Sequence, residues 1–142
     1  MPMPQFPPEV VAKIRPKNVG KRKQFDKGME QLASEGAVQF LKPFNTAITD
    51  NLIAAVGRLQ FEVVEARLMN EYGVETVLQN LPYTYGTWLF GDPETFKPTS
   101  TCMLAINAQG KPIVLFQNEW EKGYCQEQNP DHKLDDFSDS VN

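Results

Sequence analysis

Between Asn51 and Leu81 the chain changes its hydrophobic period twice. Leu52-Ile53-Ala54-Ala55-Val56 is a continuous apolar run closed by Gly57, the pattern of a strand covered on both faces. From Leu59 the period becomes helical. Phe61, Val64, Leu68 and Tyr72 fall on one stripe, and Arg58, Gln60, Glu62, Glu65 and Glu71 are left for the wetter side. Gly73 stands where a helix needs a left-handed residue to stop. Residues 74–78 alternate with period two and predict a second strand.

The same periods recur upstream. Val10, Ala12 and Ile14 alternate with Val11, Lys13 and Arg15, which predicts a strand over 9–15 ended by Pro16. Phe25, Met29, Leu32 and Ala33 predict a helix over 20–35 with Gly36 as its stop. Residues 37–41 predict a strand with Val38 and Phe40 on one face. A polar loop over 42–50 follows, with Pro43 and Asn45 as turn residues. Strand, helix, strand, strand, helix, strand is the split βαβ order of a ferredoxin-like two-layer sandwich. The expected fold class is therefore α+β, a βαββαβ core with an added antiparallel β segment.

That segment starts after Pro82. Residues 83–90 alternate as a strand, Gly91-Asp92-Pro93 is a turn, and 94–101 holds at most one helical turn. Residues 103–106 and 113–116 flank a Gly110-containing loop and predict a hairpin. Residues 119–128 predict a short helix using Trp120 and Tyr124, one turn apart. Residues 131–137 add an edge strand. The expected organisation is a Pro-rich linker over 1–8, one domain over 9–137 and a frayed tail over 138–142.

Composition narrows the function classes. A chain of 142 residues, 41% hydrophobic and 23% charged, can bury roughly 68–70% of its unfolded surface without staples. No apolar run approaches the ~20 residues of a membrane span, and the N-terminus lacks the basic-then-apolar pattern of a signal peptide. The expectation is a cytoplasmic protein without a membrane partner, with Cys102 and Cys125 reduced.

The net charge of −4 hides an asymmetry. Bases dominate up to Lys27 and acids dominate from Glu119 onward. Arg15, Lys17, Lys21, Arg22 and Lys23 form the candidate surface for a phosphate backbone. The bland reading is a solvated face. Cations in the first half of a helix oppose its dipole at about 0.3–1 kcal/mol each, a small cost that hints at a partner.

Catalytic signals are missing. There is no GxxxxGK[ST] loop. The single histidine, His132, reads as an exposed surface residue, and both cysteines read as buried small side chains. One histidine and two distant cysteines make no convincing metal site. Tyr83, Tyr85, Trp88 and Phe90 read as core packing rather than a base-stacking platform. The expectation is that the chain is no enzyme and carries no catalytic, cofactor-binding or metal-binding residue.

Gly57-Arg58-Leu59-Gln60-Phe61-Glu62-Val63-Val64, then Arg67-Leu68 and Glu71-Tyr72-Gly73-Val74, resembles the C-terminal domain of bacterial peptide chain release factor 3. Gly28-Met29-Glu30-Gln31-Leu32 and Glu35-Gly36-Ala37-Val38-Gln39 extend the match. Leu104-Ala105, Gly110, Leu115, Trp120, Gln126-Glu127 and Pro130-Asp131 look like that family's closing segment. The third domain of elongation factor G is similar more loosely, and Gln60, where elongation factors tend to carry histidine, favours the release factor. The resemblance implies a role in translation termination, where the family's GTPase speeds departure of class I release factors. It implies a ribosome-docking domain facing the small subunit, with GTP or GDP bound by a GTPase domain that precedes it together with a β-barrel domain. The alternatives are a stand-alone ferredoxin-like ligand-sensing domain, or a fragment of an elongation or ribosome-protection factor.

Overall fold

The computed structural model describes residues 8–44 and 51–137. Residues 1–7 of the expected linker, residues 45–50 of the expected loop and the tail 138–142 lie outside the described residues. The elements are β1 (Val10–Pro16), α1 (Arg22–Ser34), β2 (Gln39–Pro43), β3 (Asn51–Ala55), α2 (Arg58–Tyr72), β4 (Thr76–Leu81), β5 (Tyr85–Phe90), β6 (Met103–Asn107), β7 (Pro112–Phe116), α3 (Glu119–Gln128) and β8 (Lys133–Asp136). A 3₁₀ turn, Val19–Lys21, leads into α1.

All eight strands join one antiparallel sheet in the order β4-β1-β3-β2-β6-β7-β5-β8. The first four give the ferredoxin-like arrangement, with β1 inside and β4 at an edge. The fold is α+β, with that core and the added antiparallel segment. Each helix crosses over one intervening strand. β1 and β2 flank β3, β3 and β4 flank β1, and β7 and β8 flank β5.

β3 is buried at all five positions, as its unbroken apolar run requires. Two strands start two residues later than the pattern predicts, because the glycine stops use up chain. Gly36 (φ 79°) lets the Ala37 amide donate to Leu32 O and the Gly36 amide to Ala33 O, which closes α1. Gly73 (φ 67°) lets the Val74 amide reach Leu68 O, so Val74 packs with the helices before β4 begins. At its far end β2 extends through Lys42 and Pro43, residues expected in a loop, because they pair with Ile106 and Ala105 of β6. No helix forms between Gly91 and Cys102, where the chain makes only turns.

The apolar residues divide into three cores. Phe25, Met29 and Leu32 of α1 and Phe61, Val64 and Leu68 of α2 pack on Ala12, Ile14 and Ile53. The opposite face of those strands, Val11, Leu52 and Ala54, packs with Trp88, Ala105, Ile113, Leu115 and Phe137. A third core lies under α3, with Cys125 meeting Leu89, Leu104, Val114 and Phe116. The middle core exists because the sheet curls onto itself. A Cβ on Gly86 of β5 would sit 3.0 Å from Pro8 Cγ, just before β1. In a flat sheet strands five places apart would be ~24 Å distant. The added segment thus covers the face of the ferredoxin-like core that the helices leave bare.

Of the four aromatic residues read as core, Trp88 is buried and Tyr83 and Tyr85 pack against the middle and third cores. Phe90 is the exception, about half exposed at the end of β5.

Candidate functional site

The five basic candidates lie where β1 ends and α1 begins. Alternation along β1 buries Ile14 and leaves Arg15 exposed, opposite Val77 of β4. The Lys17 amide donates to Glu75 O at 2.8 Å, and its ammonium lies 3.6 Å from the Glu75 carboxylate. Asn18 then caps the 3₁₀ turn by accepting from the Gly20 amide at 2.8 Å. Lys21, Arg22 and Lys23 follow, all exposed. Arg22 pairs with Asp26 at 3.1 Å, one turn on, and its guanidinium lies 5.5 Å from the Phe25 ring.

The start of α1 has no side-chain cap and no acidic residue in its first turn. The Arg22 amide donates to Val19 O of the preceding turn, and the helix dipole adds to the charge of Lys21 and Lys23. Neither of these lysines forms an ion pair among the described residues. Lys17 and Arg22 are each held by an acid. An arrangement of this kind attracts anions.

Other polar clusters are structural. Arg67 bridges the helices, 2.8 Å from Glu35 after α1 and 2.6 Å from Glu71 of α2. Its guanidinium holds both carboxyls below the usual carboxylate range. A groove of about 510 Å³ runs between α1 and β2. Arg22 of the basic cluster lines it together with Asp26, Glu30, Phe40, Lys42 and Asn51, so the groove adjoins the candidate surface. Among the described residues no three His, Cys, Asp or Glu side chains stand together as metal ligands. Cys102 and Cys125 are free and buried. The Cys125 thiol is pushed up by its hydrogen bond with Cys102 and by burial.

His132, expected on the surface, is half-buried. Its Nε2 lies 2.9 Å from Asp92 O and 3.0 Å from Thr95 Oγ1, and its ring stands edge-on to Phe96. It ties the turn after β5 to the chain before β8. The helix α3 also turns the other way from expectation. Cys125 is its buried residue, and Trp120 and Tyr124 point outward. The signal that could have phased it is polar: Asn118 caps the start, and its side chain accepts from the Glu121 amide at 3.1 Å.

Residues 1–126 match the family model described as the class II release factor RF3, C-terminal domain. This chain belongs to that family. Relatives agree over most of its length. Peptide chain release factor 3 of Nostoc punctiforme is 44% identical over 133 residues, 92% of this chain and 24% of the relative. The protein of the same name from Trichormus variabilis is 44% identical over 138 residues, 93% and 25%. That of Symbiobacterium thermophilum is 41% identical over 131 residues, 90% and 25%. The chain therefore spans about a quarter of the length of the curated relatives it matches. Gly28, Leu68, Gly73 and the Arg67 bridge, which build the α1/α2 layer of this release-factor domain, all fall within the matched residues. No helix among the described residues is long and apolar enough to cross a membrane.

Proposed function

We propose that the chain is a non-catalytic C-terminal domain through which a class II release factor docks on the ribosome during translation termination in the cytoplasm. The observation that carries this reading is the exposed basic start of α1, with no acidic residue in its first turn and with Lys21 and Lys23 outside any ion pair among the described residues, in a member of this family. Phosphate oxygens of ribosomal RNA on the small-subunit side would meet Lys21, Arg22 and Lys23, with Arg15 and Lys17 from β1 beside them. Nucleotide binding and hydrolysis would belong to a GTPase domain elsewhere in the parent, and this domain would transmit its movements. Val56, Leu59 and Val63 form an exposed apolar row of the kind a neighbouring domain of the same polypeptide would cover.

The test is ribosome pelleting across a salt series. Replacing Lys21, Arg22 and Lys23 with Ala should weaken association and flatten the log–log salt slope by roughly 0.9 for each phosphate left without its cation, on the duplex scale. An unchanged slope would remove these residues from the docking surface.

A further inference from the structure

The outer face of α3 pairs exposed aromatics with unbalanced negative charge. Trp120 is 76% exposed and Tyr124 45%. Their rings lie parallel within 4°, centroids 6.0 Å apart. Each ring limits the other's rotamers, so a broad apolar surface is presented at low entropic cost. From α3 to the end of β8 the chain carries six carboxylates, Glu119, Glu121, Glu127, Asp131, Asp135 and Asp136, against Lys122 and Lys133. Both lysines are already taken. Lys122 lies 2.8 Å from Asp136 and Lys133 lies 3.5 Å from Asp135. Of the other four, Glu121 is half-buried and accepts from the Gln117 amide at 3.1 Å, and Glu119 neighbours the Tyr85 hydroxyl; Glu119, Glu127 and Asp131 are exposed and have no ion pair among the described residues.

We infer that this face docks a basic polypeptide segment, and arginine in preference to lysine. A guanidinium can stack on an indole or phenol ring while its edge donates to a carboxylate. The same molecule already holds Arg22 over the Phe25 ring in this way, 5.5 Å from its centroid. A nucleic-acid backbone would instead bring phosphates against the exposed carboxylates of Glu119, Glu127 and Asp131. The surface is independent of the basic cluster at α1, so the domain is bipolar, with an anion-seeking end and a cation-seeking helix.

Anisotropy titrations of the full chain against labelled nona-arginine, nona-lysine and single-stranded RNA test this. Nona-arginine should bind several-fold more tightly than nona-lysine, and labelled RNA alone should not bind the variant lacking Lys21, Arg22 and Lys23, which keeps this face intact. The double variant W120A/Y124A, which keeps every carboxylate, should bind nona-arginine on the order of tenfold less tightly with an unchanged unfolding midpoint. E119Q/E127Q should flatten the salt dependence. The variant lacking Lys21, Arg22 and Lys23 should bind the peptide as before, which separates this surface from ribosome docking. Equal binding by W120A/Y124A would reduce the effect to general attraction between an acidic chain and a polycation, and would overturn the proposal. So would labelled RNA binding to the variant lacking Lys21, Arg22 and Lys23 in a way that the aromatic substitutions abolish, or self-association of the chain that they abolish.

Discussion

Helix α1 turns Phe25, Met29 and Leu32 inward, and α2 turns Phe61, Val64 and Leu68. Helix α3 buries Cys125 alone. The first two helices are held by apolar area; the third is held by hydrogen bonds. Asn129, just past α3, accepts from the Lys97 amide at 2.8 Å and donates to Lys97 O and Cys125 O, each at 2.9 Å. Gln126 donates to His132 O at 2.6 Å and accepts from the Leu134 amide at 2.9 Å. Asp136 takes the Lys122 ammonium at 2.8 Å and the Tyr85 hydroxyl at 2.5 Å. A helix with a single buried side chain can stay docked when its neighbours' polar groups are satisfied reciprocally, and its outer face is then free to carry other chemistry.

The largest effect tests the apolar half. Truncating Phe25 to Ala removes a fully buried ring from the α1/α2 core and should cost about 3–5 kcal/mol, read as the shift in urea midpoint at constant slope. Next comes the polar half. Asn129→Ala leaves the Lys97 amide and two carbonyls without their partner and should cost about 1–3 kcal/mol. If it behaves like a surface substitution, within ±0.5 kcal/mol, hydrogen bonding does not hold α3 and the contrast collapses. A third substitution probes how closely the first two helices approach. A Cβ on Gly28 would lie 2.5 Å from Leu68 Cδ2 and 3.0 Å from Tyr72 Cδ2. Overpacking of about 1–3 kcal/mol then exceeds the helix-propensity gain of up to about 1 kcal/mol, so Gly28→Ala should lower the unfolding midpoint.

This contrast explains what the sequence made legible. The α2 stripe, the five-residue β3 run and the glycine stops at Gly36 and Gly73 each leave a periodic or positional mark, and together they specify the ferredoxin-like core. The hairpin, the span of α3 and the edge strand β8 were legible too. The facing of α3 was not, because one buried residue cannot phase a helix and the largest apolar side chains, Trp120 and Tyr124, misled. Nor was the role of His132 or Asn129. Their partners Asp92 and Lys97 lie 40 and 32 residues away, and hydrogen bonds at such separations have no sequence period. At the candidate site the charge run was legible, and so was the spacing of Arg22 and Asp26 one helical turn apart, whereas Glu75, the acid that holds Lys17, emerged only with the fold.

A smaller effect follows from protonation. The Lys122 ammonium and the Tyr85 hydroxyl hold the Asp136 carboxyl below its ordinary range. A carboxyl depressed on folding contributes stability that is present above its unfolded pKa, about 3.9, and lost as pH falls through the lower folded value. Asp136→Asn should therefore flatten the acid limb of the stability profile below about pH 4 and leave its shape at neutral pH unchanged. An acid limb identical to that of the parent chain would remove this ion pair from the forces that dock β8 on α3.

The smallest stability change separates the docking surface from ordinary solvated charge. Lys23 stands in the first turn of α1, where a cation opposes the helix dipole and no acid compensates. Lys23→Glu replaces that repulsion with attraction, so it should stabilise the fold by about 0.3–1 kcal/mol, a small rise in unfolding midpoint at low salt that shrinks as salt is added. A lysine that were mere surface would give this gain and nothing else. A lysine facing phosphate should give the gain together with weaker ribosome association, since the reversed charge meets the same backbone. Opposite signs for stability and binding in one substitution would mark a position where the fold tolerates a local cost for the sake of its partner. Equal binding with the stability gain would assign Lys23 to the solvated surface and leave Lys21 and Arg22 to carry the contact.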